Sequence, residues 1–402
     1  MVPSFAWRRL AACTVAAALL QIDGTLITVA LPSVGRGIHV GSGSSSAVLS
    51  AYFIAYALLL IPGGILVDRL GSRRVALVGL TMFAIGAAAG ALTSTLTPLI
   101  VTRVLQGMGA GLVSPAALAG AVSGFPPARR GAALGIWGAS AGIANLIGPL
   151  LGGLLTISFG WRADWWALVP LAMLAGGGIV RELPGTDAQR GGEAKGVLNQ
   201  IVVAAALVAA LTFAVMIGTF YLAEQYLQRA AGFSALGASA VLVVVALIVG
   251  FAAPVAGRMV DHRGERLTAM LGFSLAALGL AVLAIPSVSL TGAGSLVPLI
   301  PVGAGLGLLF VPASRAALNA NPAASHGRTS AVLSIGRLLG AGIGAALAGV
   351  ALSTGLTAST VHTSLLCAAL LCAVVGIPAA AALGPPLRSA SEPALGGAGE
   401  RP

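Results

Sequence analysis

The stretch GGILVDRLGSRR (63–74) decides the fold, because it concentrates charge between two long apolar runs. One aspartate and three arginines lie within it, with AYFIAYALLLIP before them and VALVGLTMFAIGAAAG after them. Only 8% of the chain's residues are charged. The stretch is therefore predicted to be a tight, water-exposed turn between two membrane-spanning helices.

The whole chain has the composition of an integral membrane protein. Its 402 residues are 57% hydrophobic, whereas soluble domains are about 45–50% apolar and about 25% charged. The net charge of +11 does not indicate nucleic-acid binding, because no basic stripe lies on a soluble element. The three cysteines are an odd number without a close pair, so no disulfide framework is predicted.

Apolar runs of about 20 residues, the length that crosses a bilayer, predict twelve spans. They lie at approximately 10–32, 47–67, 75–94, 98–122, 131–158, 165–180, 198–223, 235–257, 267–286, 291–314, 329–352 and 360–383. The only sizeable polar connection, RELPGTDAQRGGEAKG (181–196), separates six spans from six. The predicted fold is all-α, with two six-helix pseudo-symmetric bundles around a central cavity.

The predicted domains follow from this division. They are an N-terminal bundle at 1–180, a cytoplasmic linker at 181–197, a C-terminal bundle at 198–384 and a flexible cytoplasmic tail at 385–402. Most of the 22 lysines and arginines lie on one side when the N-terminus is placed in the cytoplasm. The positive-inside rule then predicts a multi-pass protein of the inner (cytoplasmic) cell membrane with both termini in the cytoplasm.

A second stretch, AGRMVDHRGER (256–266), indicates an internal repeat. Three residues of each stretch correspond in order: Gly64, Asp68 and Gly71 in the first, and Gly257, Asp261 and Gly264 in the second. Further along, FPPARRGAALG (125–135) aligns with NPAASHGRTSA (321–331). A parallel repeat of two six-span halves is typical of secondary transporters.

Several stretches resemble motifs of the major facilitator superfamily. GILVDRLGSRR (64–74) is similar to the signature turn after span two, RVLQGMGAG (103–111) to the fourth-span motif, and GPLLGG (148–153) to the fifth-span motif of the antiporter branch. DGTLITVALP (23–32) resembles the first-span motif of the drug:proton antiporter branch. That branch usually has fourteen spans, whereas residues 181–196 are too short to hold an extra pair.

Asp23 and Arg103 are the predicted proton-coupling residues. Asp23 lies near the middle of span one, where an ionised carboxylate costs about 2.5–3.5 kcal/mol on insertion scales. It should therefore face a cavity or a partner, and a carboxyl that can be charged or neutral is what proton coupling needs. Arg103 in span four is the natural partner, since a guanidinium keeps its charge and needs an acceptor. The resemblance links this arginine to proton movement; a permanent structural pair, or an interhelical tether, stays open.

The two repeated turns predict a cytoplasmic gate, with the candidates Gly64, Asp68, Arg69, Gly71, Arg73, Asp261 and Gly264. Acids at the ends of spans two and eight can pair with local arginines and with a helix N-terminus of the other half. Such contacts would exist only while the cytoplasmic side is closed, so they would stabilise an outward-open state. The alternative is that these charges only set the topology.

Two further groups complete the candidates. An antiporter-type bend in span five, which the resemblance links to limiting proton leak, comprises Gly148, Pro149, Gly152 and Gly153; packing alone is the alternative. The candidate cavity residues are Gln21, Gln106, Trp137, Asn145, Glu224, Tyr226 and Arg337. Glu224 could pair with Arg337, contact a cationic substrate or be a solvated rim acid. The four histidines are predicted to be solvated and to bind no metal.

These features predict a proton-coupled exporter, by antiport and alternating access, of small apolar or amphipathic compounds such as drugs or antibiotics. It would use no cofactor and would be driven by a proton gradient. The alternatives are a narrow-specificity amino acid or sugar transporter, or a non-transporting sensor. An enzyme is not predicted, because the sequence shows no nucleophile–base set, phosphate loop or metal cluster. The expected partners are a small-molecule substrate, protons and the lipid bilayer, without nucleic acid, and the expected state is a monomer.

Overall fold

The computed structural model describes residues 2–39, 42–185, 197–233, 235–288, 291, 296–353, 355 and 357–384. Across these ranges the regular structure is entirely helical. The predicted linker lies mostly outside the described residues, and the predicted tail lies wholly outside them. The predicted all-α membrane fold is confirmed.

The first half contains six long helices. They are α1 (Ser4–Gly37), α2 (Ser42–Leu70), α3 (Ser72–Leu92), α4 (Leu96–Val122), α5 (Arg130–Phe159) and α6 (Arg162–Glu182). Two of the interruptions between these helices follow from the local sequence. Gly71 adopts φ 84° immediately before α3, a left-handed conformation that glycine adopts at little cost, and Pro126 and Pro127 precede α5.

The second half repeats this order with two interrupted spans. Its helices are α7 (Gln200–Arg229), α8 (Ala235–Arg263), α9 (Glu265–Leu283), α10 (Leu296–Leu309), α11 (Pro312–Asn319), α12 (His326–Ser353), α13 (Ala358–Leu370) and α14 (Ile377–Ala381). α10 and α11 form one span, broken before Pro312, whose ring and missing N–H interrupt a helix. α13 and α14 form another, joined by a π-helical segment at Leu371–Gly376. Gly264, with φ 85°, repeats the turn at Gly71.

Eleven helical segments in the described part of the chain are long and apolar enough to cross a membrane. α5, with 30 residues, is the remaining long helix, and its end at Leu150–Phe159 is apolar. This arrangement is consistent with the predicted twelve spans.

Glycines on α4 bring the first-half helices into close contact. A Cβ at Gly107 would collide with the backbone of Tyr52 on α2, and a Cβ at Gly109 would collide with the backbone of Gly79 on α3. Small residues at such crossings allow helix backbones to approach closely. This packing places Tyr52 beside the buried face of α4 that carries Arg103 and Gln106.

The two halves meet along two equivalent helix pairs, α2 with α12 and α5 with α8. A Cβ at Gly64 would collide with the carbonyl oxygen of Gly327, and one at Gly257 would collide with the carbonyl oxygen of Gly131. The crossings of the two pairs are therefore related by the same pseudo-symmetry as the sequence repeat. They lie at one end of the bundle, which we call the Asp68 end.

Candidate functional site

A buried ion pair joins α1 to α4. Arg103 Nη1 donates to both carboxylate oxygens of Asp23, at 2.8 Å and 3.0 Å, and both side chains are 0% exposed. The same Nη1 donates to Gln106 Oε1 at 3.1 Å, and Arg103 Nε donates to the Val48 carbonyl at 3.4 Å. Two opposite charges removed from water are tolerated only with such direct pairing.

Tyr52 separates this ion pair from the centre of the molecule. The Arg103 guanidinium lies 4.2 Å from the centroid of the Tyr52 ring, a distance typical of a cation–π contact. The Tyr52 side chain also lines the central cavity, whereas those of Asp23 and Arg103 do not. A change on the cavity side of Tyr52 is therefore one side chain away from the ion pair.

The hydrogen bonding around the pair is incomplete. Within the described residues, Arg103 Nη2 and Gln106 Nε2 are buried without a hydrogen-bond partner, and the Tyr52 hydroxyl faces the Asp23 carboxylate. Each such group costs about 1–3 kcal/mol. The arrangement therefore has spare donors that another proton position or another conformation can use.

The central cavity lies between the two halves and has a volume of about 330 Å³. The first half contributes Gln21, Tyr56 and Trp137, and the second contributes Phe213 and Arg337. Its lining also includes Ser114 and Ser334, whose hydroxyl oxygens lie 3.3 Å apart across the interface between the halves. Both halves thus supply walls of the cavity.

Of the predicted cavity residues, Gln21, Trp137 and Arg337 line this cavity. Gln106 lies instead at the ion pair, and Tyr226 lines a separate apolar crevice of about 80 Å³ within the second half. The side chain of Asn145 lies outside the described residues.

Arg337 differs from Arg103 in its partners. Its Nη2 donates to Ser314 Oγ at 2.6 Å, and its guanidinium carbon lies 6.0 Å from the centroid of the Phe213 ring. Glu224, considered above as its partner, accepts instead from Gln228 on its own helix at 3.3 Å. No ion pair involving Arg337 is found within the described part of the chain.

Asp68 at the end of α2 holds the N-terminus of α12 in the other half. The backbone N–H groups of Gly327 and Arg328 donate to its carboxylate at 2.7 Å and 3.3 Å, and Arg328 Nε donates at 2.7 Å. A carboxylate at a helix N-terminus satisfies backbone donors that the helix leaves free. The arginine partner therefore comes from across the interface rather than from the local turn, where Arg69 is exposed and Arg73 partly buried.

Asp261 at the end of α8 makes the equivalent contact with α5. The N–H groups of Gly131 and Ala132 donate to its two carboxylate oxygens at 2.9 Å and 3.0 Å. Here a second acid takes part: Arg315 lies 3.4 Å from Asp261 and donates to Glu265 at 2.7 Å. We call these two contacts, Asp68 with α12 and Asp261 with α5, the junctions of the Asp68 end. They are alike in their helix capping and different in their ion pairs.

The predicted bend motif packs α5 against α1 close to Asp23. A Cβ at Gly148 would collide with Thr25 Oγ1, and a Cβ at Gly152 would collide with the backbone of Leu26. Gly153 is partly buried, and the side chain of Pro149 lies outside the described residues. The motif therefore sets how closely α5 approaches the stretch of α1 that carries the carboxylate.

Sequence reasoning missed several residues of these sites: Tyr52, Glu265, Arg315 and Arg328. The aligned stretches at 125–135 and 321–331 contained a signal, because they hold both helix N-termini that receive the gate aspartates. The expectation of solvated histidines is wrong at two positions. His326 and His362 are buried, and their rings contact the carbonyl oxygens of Leu318 and Leu283.

Comparisons with known proteins agree with this architecture. A family model described as Major Facilitator Superfamily matches residues 13–345. Multidrug resistance protein Stp of Mycobacterium tuberculosis is 28% identical over 403 residues, which cover 85% of this chain and 75% of Stp. The Tetracenomycin C resistance and export protein of Streptomyces glaucescens is 34% identical over 169 residues, 42% of this chain and 31% of that protein.

Two further comparisons show how much of each protein the similarity covers. An uncharacterized MFS-type transporter of Mycobacterium tuberculosis is 38% identical over 168 residues, so the chain spans only 29% of its length. Among solved structures, the transporter FucP in the outward conformation superposes with a TM-score of 0.72 at 16% identity, covering 93% of this chain and 98% of FucP. At this identity the likeness concerns the fold.

Proposed function

Since the chain belongs to the major facilitator superfamily, we propose that it is a proton-coupled exporter of small apolar or amphipathic compounds such as drugs or antibiotics. The resistance and export functions in the names of its relatives support export. The mostly aromatic and aliphatic lining of the central cavity supports a substrate with a large apolar surface.

The observation that carries the proposal is the Asp23–Arg103 pair, fully buried beside the cavity but not lining it. A proton that binds the Asp23 carboxylate removes the negative charge and leaves Arg103 with neutral acceptors only. The two states of this carboxyl therefore differ in the force that holds α1 against α4. That difference gives a proton gradient a place to act on the helix arrangement.

The closed Asp68 end supplies the second element of the mechanism. With the N-terminus in the cytoplasm, this end faces the cytoplasm, and the capping contacts of Asp68 and Asp261 hold the two halves together there. Opening toward the cytoplasm would require both contacts to break. We infer that substrate enters from the cytoplasm after this opening and leaves outward when the contacts re-form.

Coupling requires that proton and substrate bind alternately. Tyr52 supports such exclusion, because its ring contacts Arg103 on one side and the cavity on the other. A substrate that packs on the cavity face of the ring would hold the ring over Arg103 and preserve the ion pair, and an intact ion pair disfavours protonation of Asp23. No cofactor takes part in this scheme, and the gradient supplies the energy.

The test is gradient-driven movement of substrate in inverted membrane vesicles that contain the full chain. A panel of cationic, neutral and anionic dyes and antibiotics is offered under an imposed pH gradient. We expect uptake of at least one compound, its loss when an ionophore collapses the pH gradient, and no replacement by a sodium gradient. Movement that ignores the pH gradient but follows sodium contradicts proton coupling.

Asp23→Asn is the decisive variant, and Asp164→Asn is its matched control. Both remove a buried carboxylate of the first half, but Asp164 accepts only from Thr156 at 2.5 Å among the described partners. We expect Asp23→Asn to abolish gradient-driven movement and to retain substrate binding. Equal gradient-driven movement in Asp23→Asn and wild type would exclude Asp23 as the proton site.

A narrow-specificity metabolite transporter is the second candidate. The polar groups that converge on the cavity, Gln21, Ser114, Ser334 and Arg337, favour it. It predicts that the vesicles ignore every compound of the panel and instead move one small polar metabolite. The breadth of the compounds transported therefore separates the two candidates.

A further inference from the structure

The seven described carboxylates all have partners away from the central cavity. Their residues and partners are Asp23 with Arg103, Asp68 with Arg328, Asp164 with Thr156, Glu182 with Arg8, Glu224 with Gln228, Asp261 with the N-terminus of α5, and Glu265 with Arg315. The chain has 11 acids, and the others lie in the predicted linker and tail. Within the described residues, no carboxylate therefore lines the central cavity.

Arg337 is the charged side chain among the described residues that line the cavity. A guanidinium has five N–H donors and no acceptor. The hydrogen bond that the structure gives it, from Nη2 to Ser314, engages one of these donors. The side chain is thus a cation in the centre of a membrane protein, held by a neutral group and with donors left for a ligand.

A cation in such surroundings favours one class of ligand. Charge in a poorly hydrated site is costly unless an opposite charge or strong acceptors compensate it. The planar fork of a guanidinium matches the two oxygens of a carboxylate. A second cation in the same cavity would be repelled, because the nearby negative charge of Asp23 is neutralised by Arg103 behind Tyr52.

The remainder of the cavity fits a flat apolar body. Trp137 and Tyr56 of the first half and Phe213 and Phe310 of the second half contribute aromatic rings. Phe213 and Phe310 lie with their ring centroids 5.6 Å apart, and the Phe213 centroid lies 6.0 Å from the guanidinium carbon of Arg337. Aromatic walls around one fixed cation form a site with an apolar part and a charged part.

We propose that the substrates of this cavity are planar aromatic compounds with a carboxylate or similar anionic group that Arg337 binds. This inference rests on the proposed function, since it names the substrate class of the exporter. A carboxylate-binding cavity would distinguish this protein from an exporter of lipophilic cations. The panel of compounds described above includes such cations.

The proposal is tested by binding, without any gradient. The full chain in detergent micelles at neutral pH is titrated in a calorimeter with 2-naphthoate, 2-naphthamide and 2-naphthylmethylammonium, which share one ring system and differ in charge. Empty micelles correct for partitioning. We expect the carboxylate to bind about 10- to 100-fold more tightly than the amide, the range that a hydrogen-bonded charge pair provides, and the ammonium to bind most weakly.

Variants of Arg337 assign the preference to this side chain. Arg337→Gln should lower the affinity for 2-naphthoate to that of the amide while leaving the affinity for 2-naphthamide within about twofold. Arg337→Lys should retain part of the preference, because it keeps the charge but loses the bidentate fork. Arg258→Gln, which removes an exposed arginine of α8, is the charge-matched control and should behave as wild type.

Three results would overturn the proposal. They are equal binding of carboxylate and amide by wild type, tighter binding of the ammonium, and absence of binding of all three ligands. If Arg337→Gln does not fold, the ligand series on wild type and on Arg337→Lys still decides. Because binding needs no gradient, a failure of proton coupling in vesicles leaves this result unaffected, and the two proposals fail separately.

Discussion

The two halves of the molecule hold their membrane-embedded arginines in opposite ways. In the first half, Arg103 contacts a carboxylate at 2.8 Å, and both side chains are fully buried. In the second half, Arg337 has a serine hydroxyl at 2.6 Å and faces the central cavity. One embedded cation is neutralised by the protein's own carboxylate, whereas the other faces the cavity with a neutral partner, and this difference underlies the proposed division of roles.

The two junctions at the Asp68 end show the reverse case, in which equivalent residues keep one role. Asp68 and Asp261 each accept two backbone N–H groups from a helix N-terminus of the other half. Symmetry is thus retained where the halves must close together. It is lost at the level of the cavity, where we propose that one half handles protons and the other handles substrate.

Removing Arg103 should have the largest effect on this comparison. Arg103→Leu leaves the Asp23 carboxylate buried without its counter-charge, and breaking a buried pair in this way costs about 3–5 kcal/mol. We expect a correspondingly lower free energy of unfolding in detergent titrations. The double variant Asp23→Leu/Arg103→Leu should recover most of this loss and still lack gradient-driven transport. A double variant no more stable than the single one would show that the pair is not the source of the effect.

Replacing Tyr52 tests the separation between the cavity and the ion pair. Tyr52→Leu removes a desolvated cation–π contact worth about 2 kcal/mol and opens the Arg103 side to the cavity. We expect more protons to cross per substrate molecule in proteoliposomes, measured with a pH-sensitive dye and a labelled substrate. Tyr52→Phe keeps the ring and removes only the hydroxyl that faces Asp23, so it separates the effect of the ring from that of the hydroxyl. Unchanged stoichiometry in Tyr52→Leu would mean that the ring does not separate the two sites.

The sequence predicted the fold and the charged residues because both stand out against an apolar chain. Asp23 and Arg103 are single charges inside long apolar runs, and the turn at Gly71 repeats at Gly264. These features can be recognised in the sequence without knowing how the helices pack against one another. The same applies to the two halves, which a polar interval separates in the sequence.

The partners of these residues were harder to predict. Tyr52 is an ordinary aromatic residue within an apolar run, and Arg328 belongs to a helix N-terminus that meets Asp68 only after the halves pack. Cavity residues such as Tyr226 were misplaced for a related reason. A helix that is apolar on all sides does not reveal which face meets lipid, a neighbouring helix or a cavity.

Removing Arg337 should affect stability in the direction opposite to that for Arg103. Arg337→Leu deletes an embedded charge that has no carboxylate partner in the described structure, and a charge in such surroundings is costly unless an opposite charge compensates it. We expect an unchanged or higher midpoint of thermal unfolding in detergent. A loss comparable to that of Arg103→Leu would reveal a hidden counter-charge and remove the contrast between the halves.

The smallest predicted effect distinguishes the two junctions of the Asp68 end. Asp68→Asn still accepts one backbone N–H but leaves Arg328 without its acid, whereas Asp261→Asn leaves Arg315 with Glu265 at 2.7 Å. Because the Asp68–Arg328 pair is only partly exposed, we expect Asp68→Asn to weaken the closed state by about 1 kcal/mol and Asp261→Asn by less.

This difference corresponds to a shift of about fivefold in the population of the closed state for Asp68→Asn. It is measured by pulsed electron paramagnetic resonance between spin labels at Leu70→Cys on α2 and Ala323→Cys before α12, after Cys367, which is exposed, is changed to serine. A longer distance should gain population in Asp68→Asn and gain less in Asp261→Asn. Equal gains would mean that the Arg315–Glu265 pair does not support the second junction, and the asymmetry between the halves would then be confined to the cavity.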